Sequence, residues 1–335
     1  MPEAKERIHW VDVAKGVLIL LLLLHHFTSA SLRLGIDTSS FWFVNCWEVV
    51  YTCFFMQAFF FLSGYCSNFS TSFRPFFVKL LKQLVIPFIC FQFIICVWQS
   101  IPLHGFSPQG IFKVWIDNNG TTLWFLNALI VSKIFVWVIL HFRRSNLLLL
   151  VLSFLVLFLA VFLKQHDLGS NFFFIRQSLA SVFFVALGYV MKGNRTLFDK
   201  MTNVCGGIFP YLLLVLLLFR LPIPEVTAVM SVGMLSVPVF LVLSICGTFA
   251  CVRLCMLINN SVFLEYFGKN TLVIYCLHFI ILISLADFYY HVLKPSGIMT
   301  SVLYVSVLYI SVIAVCFVLV ELFKWKPFRW MIGRF

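Results

Sequence analysis

Charge is what this chain is short of: only 11% of its residues are Asp, Glu, Lys or Arg, against about 25% in a soluble globular domain. With 62% of the residues apolar and a mean hydropathy of +1.04, too few charges remain to cover a water-facing surface. Hydrocarbon must then be the solvent for most of the chain, where every backbone N–H and C=O has to be paired inside a helix or a closed barrel. The apolar–polar alternation of barrel strands is lacking as well. The apolar runs are continuous, as in Val17–Leu24 and Leu147–Leu163. A barrel is excluded, and the fold predicted is an all-α, polytopic membrane helix bundle.

Other absences narrow the chemistry. Eleven cysteines are present, but there is no C-x-x-C pair and no paired Cys/His spacing, which excludes a metal site. Cys53, Cys90, Cys96, Cys246, Cys276 and Cys316 sit inside apolar runs, where a thiol behaves as a small hydrophobe. Ser63-Gly64 is not part of a G-x-S-x-G elbow. Neither a G-x-x-x-x-G-K-[ST] loop nor a G-x-G-x-x-G fingerprint occurs, so no bound nucleotide cofactor is expected. With no fixed-period repeat and no low-complexity linker, residues 1–335 read as one transmembrane domain.

What is present is a series of apolar segments long enough to cross a bilayer: 13–32, 42–64, 77–99, 122–140, 146–163, 172–191, 206–220, 226–250, 270–290 and 299–322. The first resembles a signal peptide ending at Thr28-Ser29-Ala30, but many spans follow it, and it reads as an uncleaved first span. Ten spans place both termini on one side. Counting Lys and Arg between spans gives 16 on the side of the N-terminus and 6 on the other. Basic residues mark the cytoplasmic face, so both termini are expected in the cytoplasm and the chain in the cell (plasma or inner) membrane. The net charge of +12 then reads as anchoring to anionic membrane lipids and not as nucleic-acid binding. The loop over about 100–121, with Pro102, Gly105, Pro108, Gly110 and Gly120, reads as irregular backbone.

Ionisable residues inside spans are costly and usually face a cavity, a partner or a reaction. Those that stand out are Asp12 and Lys15 at the mouth of the first span, His25 and His26 within it, Glu48 in the second and His278 in the ninth; Lys133 also falls within a span. At 100° per residue, His26 lies about 20° from the face of Lys15, whereas His25 lies about 80° away. One stripe therefore runs Asp12, Lys15, Ile19, Leu22, His26, which makes His26 the residue for a polar cavity. The rise per residue puts His26 about 20 Å from the inner boundary and Glu48 about 10 Å from the outer one, at a similar depth. A carboxylate there would orient and charge-stabilise an imidazole acting as general base. His278 suits either that chemistry or an interhelical hydrogen bond. Arg74, Lys79 and Lys82 precede Pro87, and at i and i+3 the two lysines share a face. They suit a topological anchor or a phosphate cradle, for a nucleotide-bearing donor such as acyl-CoA or for an anionic lipid headgroup.

Five segments, in order, resemble the acyltransferase-3 family of integral membrane O-acyltransferases. "WVDVAKGVLILLLLLHHF" carries Asp12, Lys15, Gly16 and His26 at the family's spacing, and "FFMQAFFFLSGY" ends in its Ser63-Gly64-Tyr65. The basic stretch Lys79, Lys82, Ile86, Pro87 is similar, as are "LWFLNAL" around Trp124 and "FGKNTLVIYCLH" from Gly268 to His278. The resemblance implies a ten-span bundle that moves an acyl group, commonly acetyl, from cytoplasmic acyl-CoA to a hydroxyl. The acceptor it implies is a cell-envelope carbohydrate or lipid-linked glycan. His26 would be the base, with Glu48 and His278 beside it. Lys15, Arg74, Lys79 and Lys82 would hold the donor's phosphates, and Ser63 and Tyr275 would line the acyl path. Asp12, His25, Trp124 and Asn127 complete the candidates, on the acceptor's side. Where many sugar-acetylating relatives have His-Met-Pro, this chain has Phe55-Met56-Gln57, which leaves the acceptor open. The alternatives are a transporter or flippase, or an export partner, for lipid-linked or surface polysaccharide. A transporter is expected to show two related halves, and none is visible.

Overall fold

The computed structural model describes residues 8–33, 50–104, 107–117, 123–168, 174–219, 237–258, 260–294 and 298–333. Among them every regular element is helical. In chain order the helices are α1 (His9–Arg33), α2 (Phe55–Tyr65), α3 (Phe73–Leu80), α4 (Ile86–His104), α5 (Pro108–Asp117), α6 (Trp124–Phe142), α7 (Asn146–Gln165), α8 (Ile175–Gly193), α9 (Arg195–Val204), α10 (Ile208–Phe219), α11 (Val237–Ile258), α12 (Val262–Lys269), α13 (Thr271–Leu293) and α14 (Ile298–Lys324). A π-helical turn (Leu81–Val85) joins α3 to α4.

Seven helical stretches among the described residues are long and apolar enough to cross a membrane: His9–His26, Phe73–Pro102, Trp124–Phe142, Asn146–Gln165, Val237–Ile258, Thr271–Leu293 and Met299–Lys324. Each corresponds to one of the ten expected segments. The other three are helical but different in kind. Val50–Tyr65 and α10 are short, and α8 carries a polar buried face of Arg176, Gln177, Ser178 and Ser181. Of the segment expected at 226–250, residues 226–236 lie outside the described residues, and the rest belongs to helix Val237–Ile258. The stretch expected to be irregular contains α5, opened by Pro108, with Gly110 N–H donating to Ser107 Oγ at 3.0 Å. Ser-Pro in that order is a helix start.

Two pairs of glycines fix how the inner helices meet. A β-carbon on Gly16 would collide with the Leu264 carbonyl, and one on Gly268 with that of Asp12. Gly64 and Gly188 stand in the same mutual relation to the carbonyls of Val185 and Phe61. Helices α1 and α12, and α2 and α8, thus cross with backbone against backbone, the small-residue contact by which helices associate where lipid offers no hydrophobic drive. Between α6 and α8, Ser132 Oγ donates to the carbonyl of Ala128 at 2.6 Å and lies 2.6 Å from Ser181 Oγ.

Helix Val50–Tyr65 is broken at Cys53–Phe54. The carbonyls it frees are taken up by neighbours. Tyr211 Oη donates to Val50 O at 2.5 Å and Ser244 Oγ to Cys53 O at 2.9 Å. Interrupted backbone survives at membrane depth only with such partners. The π turn has a similar cause: Pro87 removes one i→i−4 bond, and the wider turn before it absorbs the mismatch. Large apolar side chains on α7 (Leu147, Val151, Leu155, Leu159) and α14 (Leu303, Ile310, Val318) face outward, as lipid-facing surfaces do.

The basic segments meet at one end of the bundle. His9 contacts Glu265, Tyr266 contacts Glu321 beside Lys324, and Gly333 packs on the Lys82 carbonyl. Both described chain ends therefore lie at that end.

Candidate functional site

From that end a cavity of about 280 Å³ runs into the bundle between α1, α2, the π turn, α6 and α13. Its α1 wall is Lys15, Ile19 and Leu22, the stripe read from the helical period. Helix α2 contributes Met56, Phe59 and Ser63, followed by Cys66 and Ser67. Phe125, Leu126, Leu129 and Lys133 come from α6, and Thr271, Leu272 and Tyr275 from α13. Lys79 and Gln83 stand at the α3–π junction.

Lys15, Lys79 and Lys133 all reach this cavity, and no acidic residue lines it. Three lysines elsewhere are partnered. Lys192 donates to Ser67 O at 2.9 Å, Lys269 to Glu265 at 2.6 Å and Lys324 to Glu321 at 2.5 Å. The Lys192 bond holds the segment after α2 at the cavity mouth. Trp137 Nε1, donating to Thr71 O at 3.0 Å, ties the same segment to α6.

His26 and His278 are not on the lining; each stands about one turn beyond the last lining residue of its helix, Leu22 and Tyr275. The rings of His26 and His278 are 5.0 Å apart between centroids, with Phe279 at 5.6 Å from His26. His278 is fully buried. Its Nδ1 lies 2.7 Å from Tyr275 O and 3.2 Å from Ile274 O, both acceptors, so Nδ1 carries the proton. That leaves Nε2 with a bare lone pair, and no described residue donates to it. His25 points the other way, its ring 5.6 Å from that of Phe55 and 6.4 Å from that of Tyr51.

Tyr275 links two of the motifs. Its Oη accepts the N–H of Phe125 at 3.1 Å, a free donor in the first turn of α6, which has no local side-chain cap. The Phe125 ring packs on those of Phe60, at 4.7 Å, and Tyr275, at 5.4 Å.

Of the expected site residues, Lys15, Lys79, Ser63 and Tyr275 line the cavity, and His26 and His278 pair above it. Glu48 and its pairing with His26 lie outside the described residues. Arg74 and Lys82 are exposed and off the cavity wall. At 3.6 residues per turn Lys79 and Lys82 would share a face. The π turn from Leu81 alters that, and Gln83, at i+4 from Lys79, takes the place on the wall. Asp12 is buried, with its carbonyl against Gly268. Trp124 packs 6.3 Å from Phe60, and Asn127 is buried; both are off the lining. The residues that sequence reasoning missed are Phe125 and Lys133. The spacing Leu126, Leu129, Lys133 (i, i+3, i+7) marks one helix face, with a single ammonium on it, and was the available signal.

A family model described as an acyltransferase domain, acyltransferase 3, matches residues 8–321. No match was found among curated proteins or solved structures.

Proposed function

Since the chain belongs to the acyltransferase-3 family and is a multi-pass membrane acyltransferase, we propose that it transfers an acyl group, acetyl foremost, from acyl-CoA to a hydroxyl of a cell-envelope carbohydrate or lipid-linked glycan. The observation that carries this is the cavity: convergent ammonium groups with no carboxylate, leading to a histidine pair. Phosphates bind ammonium groups by charge-assisted hydrogen bonds, and the low dielectric of a bundle interior strengthens them. Lys15 and Lys79 hold the phosphates of the donor, which enters from the cytoplasmic side, where the basic end and both termini lie. Ser63 and Tyr275 flank the thioester arm as it passes toward the histidines.

At the far end His26 acts as general base. It takes the proton of the acceptor hydroxyl as the oxygen attacks the thioester carbonyl. The C–O bond forms, the C–S bond breaks, and the proton leaves with the CoA thiolate. Such base catalysis contributes about 10²–10⁴-fold. His278 is a positioning residue. Its Nδ1–H is held by backbone carbonyls and its ring lies 5.0 Å from that of His26 between centroids, so a bond from the His26 ring to the bare Nε2, formed during the reaction, would fix the tautomer of the base.

The test is binding of acetyl-CoA and longer acyl-CoAs to the purified protein and to Lys15→Met/Lys79→Met. Wild-type binding that falls with salt, and at least about tenfold in the variant, is the expected result, since a hydrogen bond to a charged group contributes about 1.5–3 kcal/mol. Absence of binding by any acyl-CoA to folded protein would overturn the proposal in favour of a transporter or export partner.

A further inference from the structure

Lys133 stands in the middle of a helix long and apolar enough to span a membrane, Trp124–Phe142, yet faces a cavity and not the lipid. Among the described residues it has no hydrogen bond and no ion pair, and Lys15 and Lys79, both within electrostatic reach of it, have none either. It also lines the small pocket beside the main cavity, with Ser67, Lys79 and Gln83. Three like charges facing one cavity with no carboxylate on its wall repel one another, and Lys133, within a span, also bears a cost of desolvation. An arrangement so unfavourable when empty is relieved by a multiply charged anion. A single carboxylate would leave two ammoniums uncompensated, whereas two linked phosphates offer at least two charges and a wider spread of acceptor oxygens.

We infer that Lys133, with Lys15 and Lys79, forms a polyanion site selective for a diphosphate-type group over a singly charged one. This rests on the donor reading above and deepens it. The specificity for a diphosphate-bearing donor is placed within the bundle, at the level of Ser67 and Cys66, and not on the exposed basic residues Arg74 and Lys82. Substrates or inhibitors that carry only a monoanionic end would be bound poorly.

Cys66 offers a readout independent of turnover. It lines the cavity and is the exposed cysteine among those described. The experiment labels the purified full-length protein with an anionic (sulfonatoethyl) and a cationic (trimethylammonioethyl) methanethiosulfonate, and follows the Cys66 peptide by mass spectrometry. Wild type, Lys133→Met and Lys133→Arg are compared, with inorganic pyrophosphate and orthophosphate as protecting probes. In the wild type the anionic reagent should react faster, and pyrophosphate should protect at concentrations at least tenfold lower than orthophosphate. Lys133→Met should reduce the rate preference several-fold and weaken protection by pyrophosphate about tenfold, the worth of one charge-assisted hydrogen bond. Lys133→Arg should retain both. Unchanged preference and protection in Lys133→Met, or no protection by pyrophosphate in the wild type, would overturn the inference. Protection that depends on Lys133 but is not reproduced by any acyl-CoA would sustain the polyanion site and remove the donor reading instead. If Lys133→Met fails to fold, the Lys133→Arg and pyrophosphate measurements decide alone.

Discussion

At the scale of single residues, the two adjacent histidines show how far a periodicity argument reaches. His25 and His26 are chemically alike, and only their 100° angular offset separates them. In the structure that offset turns His25 toward α2 and His26 toward His278 on α13. His278 is defined by two backbone carbonyls of its own helix, which take its Nδ1 proton and leave Nε2 bare. His278→Asn keeps a donor at the Nδ1 position and removes the lone pair. The thermal midpoint in detergent should stay near that of the wild type while kcat for acyl transfer falls on the order of 10²-fold, within the range of general-base effects. A role in orienting the base shows in kcat, with KM for acyl-CoA little changed. A purely structural role would lower the midpoint instead.

At the scale of elements, the motif glycines are explained by contact and not by backbone freedom. Gly16 and Gly268, and likewise Gly64 and Gly188, each seat the carbonyl of the facing helix. The Ser-Gly-Tyr end of α2 is therefore the point where α2 and α8 touch, and it sets the distance of Ser63 from the cavity. Gly64→Ala has no flexible side chain to push aside, only the Val185 carbonyl. It should lower stability by about 1–3 kcal/mol or prevent folding, as overpacking does, and the thermal midpoint of the detergent-solubilised variant measures it. Two elements departed from their sequence reading for local reasons. Pro108 begins a helix where irregular backbone was expected, because the first turn has N–H groups with no intrahelical partner and proline lacks one. The π turn before Pro87 shifted the α3–α4 register, so Gln83 and not Lys82 joined Lys79 on the wall.

At the scale of the whole molecule, the bundle is closed at its basic end by side chains from helices far apart in the chain. Glu265 receives hydrogen bonds from Lys269 at 2.6 Å and meets His9 Nδ1 at 2.9 Å, which joins α12 to the start of α1. Those two bonds hold its carboxyl below the ordinary carboxylate value. A depressed folded pKa means that the contribution is present at pH values above the unfolded pKa, and is lost as pH falls through the folded one. The thermal midpoint of the wild type should exceed that of Glu265→Gln at neutral pH, and the gap should close below about pH 4, where an unfolded Glu is protonated. A gap that persists at acid pH would show that packing, and not charge, holds this end.

The amino-acid sequence by itself determined that the chain lives in hydrocarbon, that its described elements are helices, and which face of α1 lines the cavity. These follow from composition and period alone, since a 62% apolar chain has no other way to pair its backbone and a helix puts every third or fourth residue on one face. The motifs also carried the family. Only the tertiary structure decided which helices α1 faces. It brought His278 to His26 across about 250 residues of sequence, let Tyr275 cap the N-terminus of α6, and turned Lys133 from an isolated charge in a span into a wall of the cavity. These are pairings between distant segments, governed by packing and by polar groups that must find partners wherever the bundle brings them, and no local pattern encodes the partner.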